Sequence, residues 1–303
     1  MSIKITLHSC CMAAAVLALT ASGGWAATSC VTRTVGTGEY TTTIAVASNF
    51  TTPAQDMVDA FQLTDDGADT AITICNDSTT NLRSQIDANS NLYSMLFAAD
   101  TTANYYDTTS PRIAYSYAKG VPVYFTYRGT SRTVDNLISN LAASDKHSSY
   151  YATLTGSDLS AYTIADTTTA GSTAIANAGA PYGVKAHAIV NSIEALTGTN
   201  AMPTTIPTWV VSPLYTNINL TFDAVTTSGT TKNGFVSLAQ ICNIKSSVAY
   251  VEFTNTNYVL DQKAILLLPS DTVAANLNSY IQGQMSAGTW NSTFLPLHCY
   301  GTI

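Results

Sequence analysis

The chain has 303 residues and a formal net charge of −7 at pH 7, and only 10% of its residues are charged. This length allows one large domain or two ordinary domains with extensive cores. A chain so poor in Lys and Arg offers no basic surface that could follow a phosphate backbone, which excludes nucleic acid as an expected partner. An anionic ligand would have to be held by local dipoles and hydrogen bonds, because the overall charge repels it.

The first 26 residues have the pattern of an export signal. Lys4 supplies a positive start, residues 10–19 supply an apolar core, and Gly24-Trp25-Ala26 supplies a small-x-small cleavage site. The apolar core is too short to span a bilayer comfortably, and later segments are shorter or more polar. Lipoprotein cleavage before Cys10 is the less favoured alternative, because too little apolar sequence precedes it. We therefore expect a periplasmic or extracellular protein that is not itself transmembrane.

Four cysteines remain after this signal. An even number in an oxidising compartment favours disulfides, with buried free thiols as the alternative. The spacings match no zinc motif, and the three pairings remain open at this stage. The four residues are Cys30, Cys75, Cys242 and Cys299.

The segment 43–61 (TIAVASNFTTPAQDMVDAF) combines a buried strand with an amphipathic helix. The apolar run ends at Ser48-Asn49, and Pro53 suits the first turn of the helix that follows. Apolar residues then recur at helical spacing and predict one buried face. Small hydroxyl and amide groups below a helix N-terminus are typical of an anion site.

Three later segments repeat this design of strand end, polar turn and helix start. They are CNDSTTNLRSQI (75–86), STAIANAGAPYGVKAHAIVNSIEAL (172–196) and YTNINLTFDAV (215–225). Taken in this order, the four segments resemble the molybdate-binding proteins of bacterial ABC importers. The resemblance supplies the ligand; composition and periodicity indicate only a site for some anion.

Strands and helices alternate along the chain, which favours an α/β fold with mostly parallel sheets. The resemblance implies the type II periplasmic-binding-protein fold: two lobes, each a mostly parallel sheet flanked by helices, with a two-strand hinge. The expected parts are a tail at 27–40, lobe 1 at 41–112 and 264–303, and lobe 2 at 113–263. The ligand would lie in the cleft between the lobes.

The resemblance also implies which residues contact the ligand. A deprotonated tetrahedral oxyanion offers only acceptors, so its pocket should present only donors. Ser48 and Asn49 match the first contacting pair of the family. Thr79 stands where the family has a contacting Ser, Tyr182 matches a contact near the start of a later helix, and Ile218 matches a backbone N–H donor. Each residue also has an ordinary structural interpretation, as a turn, a helix cap or a core residue.

One residue departs from the family pattern. Asp77 stands beside the expected contact at Thr79, where the family has a small neutral residue. A carboxylate facing a dianion is unfavourable. It could accept a hydrogen bond from a protonated oxyanion, so phosphate becomes an alternative ligand if Asp77 faces the cleft.

The expected function is therefore capture of molybdate or tungstate, without a cofactor, for delivery to an ABC permease in the membrane. We do not expect an enzyme or a metal site, because His147, His187 and His298 are isolated and no nucleophile motif is present. The alternative is a surface protein with an adhesive, assembly or sensory function on the same fold. The Thr-rich, weakly charged composition and an added stretch at 130–172 favour this alternative. The stretch 197–209 is expected to be a surface loop.

Overall fold

The computed structural model describes residues 30–127, 132–194, 207–227 and 231–303. The expected export signal and most of the expected loop at 197–209 lie outside these residues. No helix in the described ranges is both long and apolar enough to cross a bilayer.

The described residues form fourteen strands and seven α-helices, and a 3-10 turn at Ser48–Phe50 precedes the first helix. The strands are β1 (Val31–Val35), β2 (Tyr40–Ala47), β3 (Thr70–Asp77), β4 (Met95–Ala98), β5 (Tyr115–Gly120), β6 (Pro122–Tyr127), β7 (Ile138–Ser139), β8 (Lys146–Ser148), β9 (Tyr151–Leu154), β10 (Thr163–Ile164), β11 (Thr173–Ala174), β12 (Asn233–Ser237), β13 (Val248–Phe253) and β14 (Leu260–Leu266). The helices are α1 (Thr51–Phe61), α2 (Thr79–Ala88), α3 (Pro181–Ile193), α4 (Ile218–Thr226), α5 (Leu238–Ile241), α6 (Thr272–Ser286) and α7 (Leu295–Leu297).

The first lobe is built on a six-stranded sheet in the order β1-β3-β2-β4-β14-β5. Its central strand β2 is buried on both faces. Ile44 and Val46 join one apolar core with α1 and α6, whereas Ala45 joins a second core with α2. A strand covered on both faces reads as a continuous apolar run, which explains the sequence of this segment.

The second lobe is built on another six-stranded sheet, in the order β11-β12-β6-β13-β9-β8. Helix α3 covers one face and contributes Ile189 and Val190 to its core. Helices α4 and α5 cover the opposite face. The stretch at 130–172 adds Leu137 and Leu159 to the core on the α3 side, so this part of the lobe has a packing role.

The chain passes between the two sheets at two places. It leaves the first sheet after Gly120 and enters the second at Pro122, and it returns between Phe253 and Leu260. Each sheet is mixed, whereas mostly parallel sheets were expected. The reason is that β14 runs antiparallel to both neighbours in one sheet, and β6 does so in the other. Strand β5 lies in the first sheet, although the expected boundary assigned residues 113–120 to the second lobe.

The segment expected to be an N-terminal tail at 27–40 contains an edge strand. Strand β1 pairs antiparallel with β3, with Thr32 opposite Cys75. A disulfide joins Cys30 to Cys75, with 5.5 Å between their Cα atoms. This distance is ordinary for a disulfide, and the bond holds the start of β1 against the sheet.

A second disulfide connects the two lobes. Cys242 follows α5 in the second lobe, and Cys299 follows α7 near the C-terminus. The next residue, Tyr300, belongs to the core of the first lobe, and Gly301 pairs with Lys119 in β5. The bond between Cys242 and Cys299 is therefore a third covalent connection between the lobes, beside the two chain crossings.

Replacing both Cys30 and Cys75 by Ala should lower the free energy of unfolding by about 2–4 kcal/mol. Without this disulfide, the unfolded chain regains the conformational entropy of the loop that the bond closes, and the two cysteines of that loop are 45 positions apart. Urea unfolding in oxidising buffer measures the loss, and the Cys30→Ala single variant should lose a similar amount. A double variant as stable as the parent would show that this bond does not stabilise the edge strand.

Candidate functional site

The end of β2 places two polar side chains between the lobes. Ser48 and Asn49 are both buried in the 3-10 turn that joins β2 to α1. The Ser48 hydroxyl donates to Oδ1 of Asn76, at 3.2 Å, on the neighbouring strand. The sequence places these two residues at a strand end, and the structure brings that end to the interface between the lobes.

The start of α2 brings two hydroxyl groups to the same region. Ser78 is the N-cap residue, and its hydroxyl oxygen accepts from the backbone N–H of Asn81 at 3.3 Å. The hydroxyl oxygen of Thr79 accepts from the backbone N–H of Ala99 at 3.0 Å. In both bonds the hydroxyl oxygen is the acceptor, so each O–H can still donate to a ligand.

The second lobe contributes two helix N-termini to the same region. Asn217 caps α4 by accepting from the N–H of Leu220 at 3.0 Å, and Ile218 is the first residue of that helix. Helix α3 begins with Pro181, directly before Tyr182. The N–H groups of a first helical turn have no acceptor within their own helix, so that of Ile218 can donate to a ligand.

These four chain segments meet at one small cavity between the lobes. Its volume is about 10 Å³, counted as the space open to the centre of a water-sized sphere. This is roughly the volume that one water molecule needs. No Lys, Arg, Asp or Glu is among its described lining residues. The cavity is lined by all five residues that the resemblance implicated: Ser48, Asn49, Thr79, Tyr182 and Ile218.

The carboxylate of Asp77 is not among the groups that line this cavity. Its Oδ1 accepts from the backbone N–H of Ser78 at 2.7 Å, and both oxygens lie 3.1 Å from the side-chain amide of Asn81. Asp77 therefore stabilises the first turn of α2, where a negative charge is favourable.

A buried amide that the sequence analysis missed lies behind the cavity. Gln262 in β14 has no exposed surface. Its Oε1 accepts from the side-chain amide of Asn49 at 2.8 Å and from the hydroxyl of Tyr117 at 2.9 Å. Its Nε2 donates to the hydroxyl of Tyr182 at 2.7 Å. Because Asn49 is in the first lobe and Tyr182 in the second, Gln262 links the two lobes through one side chain.

The hydroxyl oxygen of Tyr182 accepts a second hydrogen bond in this link. The donor is the Ser237 hydroxyl, at 3.0 Å, and a Cβ atom at Gly120 would collide with the Tyr182 hydroxyl. Burial raises the pKa of Tyr182 and, further still, the pKa of Tyr117 and Tyr300. The three phenols therefore stay protonated at any physiological pH.

Asn49 and Tyr182 therefore have an interlobe role that the sequence did not predict. The Asn49 amide donates to Gln262 and also, at 2.9 Å, to the Tyr300 hydroxyl. The sequence gives little hint of Gln262, which stands between Asp261 and Lys263 in the segment YVLDQKAILLLP (258–269). A buried polar side chain with partners is a common feature of such a strand, and its partners lie far away in the sequence.

Residues with hydroxyl groups and three helix N-termini border the cavity, but the surface that faces its interior is mostly apolar. The described residues hold no group of three or more His, Cys, Asp or Glu that could bind a metal ion. His187 lies outside the cavity, with its Nε2 3.2 Å from the Ala176 carbonyl oxygen, and burial lowers its pKa.

No protein-family profile matches the sequence, and no curated protein matches it. Solved structures do match. A protein assigned as the substrate binding domain of a molybdenum ABC transporter from Clostridium difficile has a TM-score of 0.50 and 14% sequence identity, over 87% of this chain and 99% of that chain. CbnR, a LysR family transcriptional regulator, has a TM-score of 0.48 and 9% identity, over 80% of this chain and 68% of its own. The CcmR regulatory domain of Synechocystis PCC6803, in complex with 2-PG, has a TM-score of 0.48 and 8% identity, over 81% of this chain and 97% of that chain.

The two sheets, their connections and the likeness to the Clostridium difficile domain define the class of fold. It is the two-lobed α/β fold of the type II periplasmic-binding-protein class, as the sequence predicted. At 14% identity the likeness shows the fold alone.

Replacing Gln262 by Leu should destabilise the protein by about 2–4 kcal/mol, because three buried polar groups then lose a partner. Urea unfolding measures the change. The control is Gln282→Leu in α6, an exposed amide whose loss should cost under about 0.5 kcal/mol. Equal stability of the two variants would contradict the interlobe role of Gln262.

Proposed function

We propose that this protein is an exported solute-binding protein that captures a tetrahedral oxyanion, molybdate or tungstate, for delivery to an ABC permease. One observation carries the proposal. The end of β2 and the N-termini of α2, α3 and α4, drawn from both lobes, converge on one cavity, and the described residues that line it include hydroxyl and amide side chains but no charged one. Helix N-termini attract anions without any cationic side chain.

A fully deprotonated oxyanion fits these groups best. It has acceptors only, which matches hydroxyl and N–H donors. Phosphate keeps a proton near neutral pH and would need an acceptor in the pocket. The carboxylate that could serve, Asp77, is held by Ser78 and Asn81 instead. This arrangement favours molybdate and tungstate over phosphate. Sulfate is also deprotonated at neutral pH, so the size of the opened cavity would determine whether the protein prefers molybdate and tungstate to sulfate.

Uptake requires the cleft to widen. The cavity has room for about one water molecule, and a tetrahedral oxyanion needs several times that space. Rotation of the lobes about the two crossings would provide it, and contacts from both lobes to the anion would then favour closure. Such a motion would separate an apolar contact between the lobes. This contact includes Ala47, Ala99, Ala176, Ala180, Tyr182 and Ile218.

Two further features support export and ligand capture. The two disulfides suit the oxidising compartment to which the expected export signal would direct the protein. The Clostridium difficile domain of similar fold is assigned to a molybdenum ABC transporter. We propose a non-catalytic role, because the lining contains no pair of nucleophile and base in its described part.

The second candidate is a surface protein with an adhesive, assembly or sensory function on the same fold. The observation that favours it is the disulfide between Cys242 and Cys299, which ties the lobes together beside a cavity of only about 10 Å³. A cleft that does not open would have no transport function.

Calorimetry with molybdate, tungstate, sulfate and phosphate should give binding of molybdate or tungstate that Thr79→Val weakens about 10–100-fold. The variant removes a hydroxyl donor to a charged ligand and keeps the side-chain shape. The matched control is Thr32→Val, an exposed residue on β1, which should bind as the parent does. No heat with any of the four anions, from folded protein, would exclude oxyanion capture and favour the second candidate.

Replacing Ile218 by Pro should weaken binding of the same anion about 10–100-fold, because Pro deletes the backbone N–H along with the buried isoleucine side chain. Pro is tolerated at the first position of a helix, and the preceding Asn217 has the extended backbone that a following Pro favours. Calorimetry compares it with Ile218→Val, which shortens the buried side chain and keeps the N–H. Equal affinities of the two variants would show that this N–H does not contact the ligand.

A further inference from the structure

A second and larger cavity lies beside the first, on the other side of Ser48 and Asn49. It measures about 230 Å³ by the same measure. The first turn of α1, helices α4 and α5, the segment after α5 and His298 enclose it, so both lobes contribute. The volume is slightly below that of typical ligand pockets, which suits a small organic molecule.

The side chains of this cavity present both donors and acceptors. Asn219 accepts from Nε2 of Gln240 at 2.8 Å, which leaves its own amide N–H groups for a ligand. Thr52 and Asn243 also line the cavity, and both residues are exposed at its opening to solvent. A hydroxyl and a side-chain amide can each donate and accept.

The N-terminus of α1 adds a donor. Its N-cap residue, Phe50, supplies no side-chain cap. Thr51 and Thr52, the first two residues of this 11-residue helix, line the cavity. The preceding 3-10 turn occupies the N–H group of Thr51, whereas that of Thr52 has no acceptor within the helix.

Two of the most buried lining residues have a polar atom without a hydrogen-bond partner among the described residues. They are Asn49, with its Oδ1, and His298, with its Nε2. Both side chains are more than nine-tenths buried. Asp56 Oδ2 lies 3.6 Å from the His298 nitrogen, which is too long for a hydrogen bond. Buried polar atoms are normally hydrogen-bonded, so each of these two atoms is expected to have a partner.

The charges around the cavity select a neutral ligand. No Lys, Arg, Asp or Glu is among its described lining residues, so a cation finds no carboxylate there. Burial lowers the pKa of His298 against the opposing effect of Asp56, so the imidazole is neutral. The carboxylate of Asp56, near the same imidazole, would repel an anion. The ring of Phe222 provides an apolar surface for C–H groups.

We propose that this cavity binds a small neutral polyol, of about the size of a monosaccharide. Its hydroxyl groups would accept from the first turn of α1 and from Asn219, and would donate to Asn243 and to the unpaired Oδ1 of Asn49. Its carbon face would lie on Phe222. The two cavities share Ser48 and Asn49, but Thr52 and Asn243 line only the larger one and Thr79 only the smaller one, so the two proposals can be tested separately.

The test is calorimetry and saturation-transfer NMR on the whole protein, with D-glucose, D-ribose and myo-inositol as probes. At least one should bind. Thr52→Val and Asn243→Ala should each weaken that binding about threefold to tenfold, the effect of one uncharged hydrogen bond. Thr32→Val, a matched change on β1, should have no effect. The imidazole ¹⁵N resonances of His298 should shift on addition of the probe.

Three outcomes would overturn the proposal: no probe binds to folded protein, binding is unchanged in both cavity variants, or small carboxylates bind in preference to polyols. The result is separable from that for oxyanions. Thr79→Val should weaken oxyanion binding and leave polyol binding unchanged, whereas Thr52→Val should do the opposite. Failure of either proposal therefore leaves the other standing.

Discussion

The side chain of Gln262 is the contact on which the arrangement of the two lobes depends. It is a fully buried amide that accepts from Asn49 and Tyr117 on one side and donates to Tyr182 on the other. A buried amide is favourable only when its partners are in place, so this network fixes how the strand end of the first lobe meets α3 of the second. Gly120 permits the close approach, and the disulfide between Cys242 and Cys299 holds the C-terminal segment beside it.

Two cavities of different chemistry lie between the lobes, beside this network. The small cavity is bordered by hydroxyl-bearing residues and helix N-termini, and we propose that, once opened, it takes a ligand that only accepts hydrogen bonds. The larger cavity has amides, hydroxyls, an aromatic ring and a neutral imidazole, and suits a ligand that both donates and accepts. Ser48 and Asn49 belong to both, so the turn between β2 and α1 separates the two environments.

The sequence predicts local structure well here, because strand ends and helix starts leave local signals. Pro53, the Ser78 cap and Pro181 mark three helix starts, and the continuous apolar run of β2 marks a buried central strand. The family resemblance added the order of the segments and five residues that line one cavity. Strand β1 was missed, because its five residues carry little apolar pattern and its place depends on a disulfide 45 residues away. Gln262 and the His298 cavity were missed for the same reason: their partners are distant in the chain.

The most direct test of oxyanion capture is a crystal structure with tungstate, with anomalous diffraction recorded at a tungsten absorption edge. Capture as proposed predicts one strong anomalous peak between the lobes, within hydrogen-bond distance of the Thr79 hydroxyl and the Ile218 backbone N–H. A closed cleft without that peak, in protein exposed to saturating tungstate, would contradict the account and leave a binding-protein fold with a different function.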